Sequence, residues 1–387
     1  MTTRIMLFTG KGGVGKTSVA AATAAMMASR GLKTLIMSTD PAHSLADAVG
    51  ARIGPVTKKI GENFYAQEVS VLEAISSHWD ELKGYLTGLF QSQGLDPVSA
   101  EEIATLPGFD EASHLLYLNE YVEAGEYDVI VLDSAPTGEA LKLLSFPEAM
   151  SWYMEKFFPI SRKTAKIIRP MAKPFFNLPL PDDSVFRSME TLYNNLSKVR
   201  GLLSDPEMTS IRLICNPDRM SVNETKRAYT YLMLYEYPVD GVIVNKIYRE
   251  NTGPFFEKWR KSQDEIIKEI EDSFGDVKIF KSYLTEEEPT GLERLIDFGR
   301  RIYGDDNPYD IFYSGRPVEY IRENGESIVK IKLPFADKEN LNLFNKGGEL
   351  VIEMDNWRRV FYLPQTFSDK SPESAEFINQ HLLIKMS

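Results

Sequence analysis

Residues 10–18 constrain this chain more than any other stretch, and they read Gly-Lys-Gly-Gly-Val-Gly-Lys-Thr-Ser. They satisfy the pattern Gly-x-x-x-x-Gly-Lys-Ser/Thr, in which a glycine-rich loop joins a buried strand to a helix. The flanks fit that context, since residues 4–9 form a short apolar run and residues 19–28 are rich in alanine. The pattern therefore predicts a strand, a phosphate-binding loop and a helix at the start of the chain.

The chemistry of phosphate binding explains the glycines. They let successive backbone N–H groups curl around phosphate oxygens, and the N-terminal end of the next helix adds positive charge. The sequence predicts that ATP binds here, with Lys16 on the β- and γ-phosphates and the Thr17 hydroxyl on Mg²⁺. The alternative is a glycine turn that binds nothing. The predicted nucleotide-binding residues of the loop are Gly10, Lys11, Gly12, Gly13, Val14, Gly15, Lys16, Thr17 and Ser18.

Composition excludes several other classes of protein. No apolar run approaches the ~20 residues of a membrane-spanning helix. The net charge of −12 argues against broad binding to nucleic acid. Cys215 is the only cysteine, which excludes intrachain disulfides and metal sites built from paired cysteines. The first strand follows Met1 so closely that a targeting peptide has no room, and we expect a cytoplasmic protein.

Short apolar runs recur after the loop, and helical stretches separate most of them. This alternation predicts an α/β fold, namely a phosphate-loop NTPase with a doubly wound, mostly parallel sheet. The predicted strands cover residues 4–9, 34–37, 64–69, 129–132, 211–215, 239–244 and 277–280.

Two carboxylates follow predicted strands, at the edge of the sheet where ligands bind in such folds. Asp40 opens Asp-Pro-Ala-His-Ser, where a carboxylate would orient the water that attacks the γ-phosphate. A helix-capping or turn aspartate is the alternative. Asp133 ends an apolar strand and opens Asp-Ser-Ala-Pro-Thr-Gly, which is the Walker B arrangement. Thr17 and Asp133 are thus the predicted Mg²⁺ residues, with Asp133 acting directly or through a water molecule.

These three motifs together resemble the arsenite-pump ATPases and the guided-entry ATPases that deliver tail-anchored membrane proteins. The likeness extends to Pro-Gly-Phe-Asp-Glu at 107–111, Val-Asn-Lys at 244–246 and Glu-Pro-Thr-Gly-Leu at 288–292, and it covers residues 1–305. It implies a homodimeric ATP hydrolase that binds a hydrophobic or transmembrane-helix segment of a client protein, and it leaves a membrane receptor open. No nucleic-acid partner is expected.

The resemblance also implies roles for individual residues. Lys11, an extra lysine after the first glycine, marks the deviant Walker A group, in which it reaches the partner's nucleotide; the alternative is a solvated loop lysine. Asp40 and Asp133 match the switch I and switch II aspartates, so the predicted catalytic residues are Asp40, Lys11 and Lys16. Asn245 matches an adenine-reading asparagine. The remaining predicted nucleotide contacts are Asn216 and Asp218, in a loop near the partner's nucleotide, and Glu288 and Pro289, in a loop that closes over the base.

The chain departs from the family pattern in two places. Glu139 stands where a histidine usually follows Pro-Thr-Gly, and the sequence leaves open what this change does to the signalling of switch II. The paired cysteines that bind zinc between subunits of the targeting factors are missing, so any dimer forms without zinc.

Residues 75–125 and 146–203 are predicted to form a helical subdomain, and the second part is rich in large apolar side chains. In the family, helices here build a groove for a client's transmembrane helix, and flexible side chains suit a groove that accepts many sequences. Ordinary core or dimer packing is an equally weighted alternative. The predicted groove residues are Phe146, Met150, Met154, Phe157, Phe158, Met171 and Phe175.

The pattern changes after residue 305, which ends the predicted ATPase domain, and residues 304–308 have the composition of a linker. Val329, Ile331 and Leu333 alternate with other residues, and a second alternation follows Gly347-Gly348, a predicted hairpin turn. Residues 312–387 are therefore predicted to form an all-β sandwich, and they resemble the α-crystallin domain of small heat-shock proteins. This β domain would offer a surface for clients or, alternatively, only brace the ATPase domain.

The sequence as a whole predicts an ATPase whose nucleotide state controls the binding of hydrophobic clients. A holdase-type chaperone that ATP regulates without any targeting role is the main alternative. A metalloid-pump subunit needs several thiolates, and an iron–sulfur carrier needs cluster cysteines, so the single cysteine disfavours both. A partition ATPase shares Lys11 but would usually carry a basic or amphipathic contact surface, and the sequence has no evident one.

Overall fold

The computed structural model describes residues 3–38, 44–69, 77–92, 94–104, 109–134, 183–250, 252–275, 277–323, 326–336, 341–346, 349–354, 357–367 and 369–387. The helices in these ranges are α1 (Lys16–Ser29), α2 (Ser44–Val49), α3 (Ser77–Ser92), α4 (Pro97–Ala104), α5 (Phe109–Ala124), α6 (Asp183–Ser204), α7 (Arg219–Leu234), α8 (Glu257–Ser273) and α9 (Leu292–Tyr303). The strands of the first sheet are β1 (Arg4–Gly10), β2 (Thr34–Ser38), β3 (Lys58–Gly61), β4 (Phe64–Glu68), β5 (Val129–Asp133), β6 (Thr209–Cys215), β7 (Val239–Ile247) and β8 (Lys278–Tyr283).

These eight strands form one sheet in the order β3-β4-β2-β5-β1-β6-β7-β8. Every neighbouring pair is parallel except β3 and β4, which are antiparallel. The predicted strands coincide with those observed to within a few residues, and the predicted α/β fold class is confirmed. The edge strand β3 was not predicted, because it has only four residues, Lys-Lys-Ile-Gly, of which the two lysines are exposed and only Ile60 is a large apolar residue, so it shows no apolar period.

Helices cover both faces of the sheet. Ile5 and Leu7 of β1 belong to the core on one face, with α7 and the end of α6, while Met6 and Phe8 belong to the core on the other face, with α1 and α9. The alanines of α1 allow a close crossing, since a Cβ placed on Gly299 of α9 would lie 2.7 Å from the Ala22 carbonyl oxygen. The alanine-rich helix is thus a buried element, which fixes the loop that precedes it.

The helices α3 to α6 pack against one another, and the end of α6 reaches the sheet. Helix α3 contacts α4 and α6, and α5 contacts α6. Helix α6 buries Val185, Met189, Leu192 and Leu196, at the three- and four-residue spacing of one helix face. The seven residues predicted to form the client groove lie outside the described residues, so that groove stays a prediction. Among the residues that the structure describes, no helix is long and apolar enough to cross a membrane.

The C-terminal region consists of two antiparallel sheets. Their strands are β9 (Val318–Glu323), β10 (Glu326–Lys332), β11 (Leu341–Lys346), β12 (Glu349–Met354), β13 (Trp357–Tyr362), β14 (Pro372–Ile378) and β15 (His381–Met386), in the orders β14-β15-β10-β9 and β11-β12-β13. Lys346 pairs with Glu349, as expected for a tight hairpin at the predicted turn. Val329 and Ile331 are fully buried, in agreement with the predicted alternation. The all-β prediction is therefore confirmed, whereas the exact domain boundaries stay predictions.

The predicted linker is bonded to the ATPase domain. Arg212 on β6 is fully buried, pairs with Asp240 on β7 at 3.2 Å, and donates to the Pro308 carbonyl oxygen at 2.8 Å. Arg30 donates to the Asn307 side chain at 2.7 Å. The chain between the two domains is thus held by β6 and by the residue that follows α1.

The β domain also contacts the end of α7 directly. Arg359 of β13 donates to the Glu236 carboxylate at 3.1 Å, and the Tyr235 hydroxyl donates to the Arg358 carbonyl oxygen at 3.3 Å. Thr230 donates to the Pro334 carbonyl oxygen. Because α7 begins at the carboxyl edge of β6, this helix connects that edge with the β domain.

Candidate nucleotide site

The predicted phosphate loop lies between β1 and α1, as its pattern requires. Gly13 and Gly15 have φ angles of +81° and +92°, which glycine adopts without strain. Gly10 lies on β1, where a Cβ would come 2.2 Å from the Ile214 carbonyl oxygen of the neighbouring strand. Gly12 and Gly13 are exposed to solvent. The glycines thus serve both the turn and the close approach of β6.

The residues after the loop lie in the first turn of α1. Lys16 is its first residue and is buried, whereas Lys11 is half-buried. The Thr17 hydroxyl lies 2.9 Å from the Ser44 hydroxyl, in a hydrogen bond that either group can donate. Ser44 is the last residue of the Asp-Pro-Ala-His-Ser motif and the first of α2. The structure therefore joins the predicted Mg²⁺ residue of the loop to the segment that carries Asp40, although Asp40 itself lies outside the described residues.

Asp133 ends β5 beside the end of β2. Ser38 and Asp133 are register partners, and the Ser38 hydroxyl donates to Oδ2 of Asp133 at 3.4 Å. The Asp133 side chain is fully buried. The next residue, Ser134, donates to the Phe8 carbonyl oxygen at 3.0 Å, which joins the start of the predicted switch II to β1. Glu139 lies outside the described residues.

Two consecutive residues at the end of β7 donate hydrogen bonds to the phosphate loop. The Asn245 side-chain nitrogen donates to the Val14 carbonyl oxygen at 2.8 Å. The Lys246 ammonium donates to the Gly13 carbonyl oxygen at 2.7 Å. The resemblance gave Asn245 a contact with adenine, which stays a prediction; the structure adds that the same side chain holds the loop backbone.

The end of β6 carries the loop predicted to contact the partner's nucleotide. Asp218 caps α7, because its carboxylate accepts the Ser221 backbone N–H at 2.9 Å. The Asn216 backbone N–H donates to the Ser221 hydroxyl at 3.0 Å. Oδ1 of Asn216 is buried and has no hydrogen-bond partner among the described residues. A role for Asp218 in nucleotide binding would therefore have to coexist with its role as a cap.

The loop predicted to close over the base lies between β8 and α9. Glu288 and Pro289 line an open cleft of about 440 Å³ with Arg249, which follows β7, and Arg294. The loop ends in a hydrogen bond from the Gly291 N–H to the Ala48 carbonyl oxygen at 2.9 Å. Helix α2 thus contacts Thr17 through its first residue, Ser44, and the loop between β8 and α9 through Ala48.

The structure brings the phosphate loop together with Ser44 and with Asn245 and Lys246. The sequence alone indicated no role for Ser44 or Lys246. Both stand inside motifs that carried the resemblance, so the signal was present, but their partners depend on how the strands are ordered. The assignment of individual residues to ATP or Mg²⁺ stays a prediction.

The comparisons with known proteins agree with this fold. Residues 3–304 match the family model of the anion-transporting ATPases, ArsA ATPase, and residues 324–386 match the HSP20-like domain found in ArsA. The chain belongs to the ArsA ATPase family. The resemblance stated from the motifs is therefore confirmed, including its C-terminal part, and this ArsA-family chain is an ATP hydrolase.

Individual relatives share most of the chain. A protein of Aquifex aeolicus named as an arsenical pump-driving ATPase is 39% identical over 99% of this chain and 100% of its own length. A protein of the same name from Chlorobaculum tepidum is 38% identical over 98% of this chain and 95% of its own. The ATPase get3 of Schizosaccharomyces pombe is 28% identical over 79% of this chain and 92% of its own. The relatives thus carry names of both groups that the motifs resemble, the arsenical pump-driving ATPases and the get3 ATPases.

Proposed function

We propose that this chain is a cytoplasmic, homodimeric, Mg²⁺-dependent ATPase whose nucleotide state controls the binding of hydrophobic client segments. The observation that carries the proposal is the hydrogen bond between Thr17 and Ser44. It joins the phosphate loop to α2, and α2 in turn holds the loop between β8 and α9 through Ala48 and Gly291. A change at the γ-phosphate would therefore act on elements beyond the phosphate loop.

In the proposed hydrolysis, Lys16 and the backbone N–H groups of the loop stabilise negative charge that develops on the γ-phosphoryl group. Lys11 of the second copy adds a further positive charge. Asp40 orients the attacking water, and Asn245 contacts the adenine. Asn216 and Asp218 lie near the partner's nucleotide, and Glu288 and Pro289 border the base.

The donor set fits Mg²⁺. Among the described residues, no group of three or more His, Cys, Asp or Glu side chains is placed to hold a metal ion. Mg²⁺ at nucleotide sites needs only one or two protein oxygens, because phosphates and waters complete its shell. The Thr17 hydroxyl and the buried Asp133 carboxylate are hard oxygen donors of that kind. The bound ion would neutralise charge on the β- and γ-phosphates.

The state of the single cysteine disfavours binding of a metalloid. Arsenite and antimonite are soft and require several thiolates. Cys215 is buried at the end of β6, and burial raises the pKa of its thiol to about 12, so the thiol stays protonated at neutral pH. The relatives named for arsenical pumps therefore support ATPase activity in this chain, but they do not indicate that it binds arsenite or antimonite.

A peptide-binding measurement tests the proposed client switch. The probe is a fluorescent peptide of about 20 apolar residues, the length of a transmembrane helix. Its affinity for the wild-type protein is measured with Mg²⁺ and either ADP or a non-hydrolysable ATP analogue. We expect the affinity to differ between the two nucleotides, and Lys16→Ala to abolish the difference. Equal affinities, or no binding in either state, would refute the switch.

A second candidate is an ATP-regulated holdase without a targeting role. The match of residues 324–386 to an HSP20-like domain favours it, and so do the exposed side chains of Phe344 and Ile378. In that case, the full-length protein would suppress aggregation of an unfolded model client equally well in ADP and in the ATP analogue. The two candidates therefore predict opposite nucleotide dependence.

A further inference from the structure

We propose that Lys246 is a positioning residue that pre-organises the phosphate loop for the nucleotide. This inference rests on the proposed nucleotide site and adds a residue that the motifs left without a role. It follows from three features of the structure: a bulge in β7, the geometry of two peptide planes, and a buried clamp on the bulge.

The bulge lies where β7 leaves the sheet. Val244 pairs with Lys281 and Ile247 pairs with Tyr283, so β7 advances three residues while β8 advances two. Lys246 takes a φ of +59°, which is uncommon for a residue with a side chain. Consecutive side chains of a regular strand point to opposite faces, whereas a bulge re-aims one of them. Asn245 and Lys246 can therefore both reach the loop.

The two contacts orient two successive peptide planes of the loop. Lys246 holds the Gly13 carbonyl oxygen, and Asn245 holds the Val14 carbonyl oxygen. In a trans peptide, the N–H of the next residue points the opposite way from that carbonyl. The N–H groups of Val14 and Gly15 are thereby turned away from β7. These are amides that a phosphate loop directs at its ligand.

A buried side chain holds the bulge itself. Gln263 of α8 accepts the Tyr248 backbone N–H at 2.9 Å and donates to the Lys246 carbonyl oxygen at 3.4 Å. Gln263 is buried, whereas the Lys246 side chain is exposed. An exposed lysine would ordinarily move freely in solvent, so the fixed backbone beneath it is what keeps its ammonium at the loop.

The alternative role for Lys246 is a contact with the base, and pyrophosphate separates the two. Pyrophosphate competes for the phosphate loop but has no base. If Lys246 orients the loop, Lys246→Met should weaken the binding of ATP and the binding of pyrophosphate by the same factor. If Lys246 touches only the base, pyrophosphate should be unaffected.

The experiment uses the full-length protein and steady-state hydrolysis of Mg·ATP, with pyrophosphate as a competitive inhibitor. We expect Lys246→Met to raise KM and the inhibition constant of pyrophosphate about three- to tenfold, the range for one lost hydrogen bond. The kcat should stay within about twofold, because Lys16 and Asp40 are retained and the contact of Lys246 with the Gly13 carbonyl oxygen is made in ground state and transition state alike. Lys246→Arg, which keeps a cationic donor, should recover most of the affinity.

The control is Lys258→Met, which removes an exposed lysine on α8 and should change neither constant. Unchanged constants in Lys246→Met, or a change in KM without one for pyrophosphate, would overturn the proposal. If Lys246→Met does not fold, the same test is made with Lys246→Gln, by its KM for ATP and its inhibition constant for pyrophosphate. Absence of ATP turnover in the wild type would instead refute the proposed function.

Discussion

Gly15 and Asn245 lie so close that a Cβ on Gly15 would come 2.6 Å from the Asn245 side-chain nitrogen. The asparagine reaches this position to donate to the Val14 carbonyl oxygen. The second glycine of the pattern is thus required by the end of β7 as well as by its own left-handed backbone. The phosphate loop and β7 form one packed unit.

Substitution of Gly15 by alanine tests this packing. The left-handed backbone costs alanine about 1–2 kcal/mol, and the contact with Asn245 adds about 1–3 kcal/mol. We expect Gly15→Ala to lower the free energy of unfolding by about 2–5 kcal/mol, measured in urea without nucleotide. The matched control is Gly12→Ala, because a Cβ there meets no atom within 4 Å. A similar loss in both variants would contradict the packing.

The buried pair of Arg212 and Asp240 anchors the linker. Arg212→Met removes a cation that is fully buried and leaves Asp240 without its ion-pair partner, so we expect a loss of about 3–5 kcal/mol in the free energy of unfolding. The double variant Arg212→Met/Asp240→Leu should recover a large part of it. Lys198→Met, which breaks an exposed pair with Glu123, should cost less than about 1 kcal/mol. A double variant no more stable than Arg212→Met would contradict this account.

The ion pair of Arg359 with Glu236 should hold the β domain on α7. The Arg359 side chain is buried between the two domains. We expect Arg359→Met to increase the rate of limited proteolysis within residues 304–317 several-fold, because the domains separate more often. Arg358→Met is the neighbouring control, since that side chain is exposed and pairs with Glu353 inside its own sheet. Equal cleavage rates in the two variants would show that this pair does not secure the domain.

Cys215 should be inert in the folded protein. Because its pKa is raised to about 12, the reactive thiolate is scarce below that pH, and burial blocks reagents as well. We expect iodoacetamide at pH 8 to alkylate the unfolded chain at least a hundredfold faster than the native chain, as followed by mass spectrometry. Arsenite should not bind the native protein. Stoichiometric binding of arsenite that Cys215→Ser abolishes would contradict this expectation.

The sequence was sufficient to predict the parallel strands of the first sheet and to recognise the family. Buried parallel strands are continuous apolar runs, such as Val129–Asp133, and their order of appearance already indicates a doubly wound fold. The alternation around Val329 and Ile331 was equally readable as a half-buried antiparallel strand. The edge strand Lys58–Gly61 was not predicted, because two exposed lysines and a single apolar residue, Ile60, give no apolar period.

The candidate site was predictable in its residues but only partly in its contacts. The loop pattern is local, so its glycines and Lys16 follow from the sequence. The contacts of Asn245 and Lys246 depend on a bulge and on β7 lying two strands from β1, neither of which has a local signal. The hydrogen bond between Thr17 and Ser44 likewise depends on where α2 packs.

The most direct test of the account is ATP turnover by the wild type and by Asp40→Asn, with ATP affinity measured in parallel. We expect the variant to bind Mg·ATP as the wild type does but to turn it over at least about a hundredfold more slowly, because the attacking water loses its carboxylate. Asp47→Asn, at an exposed position of α2, should match the wild type. Turnover by Asp40→Asn at the wild-type rate would contradict the proposed mechanism.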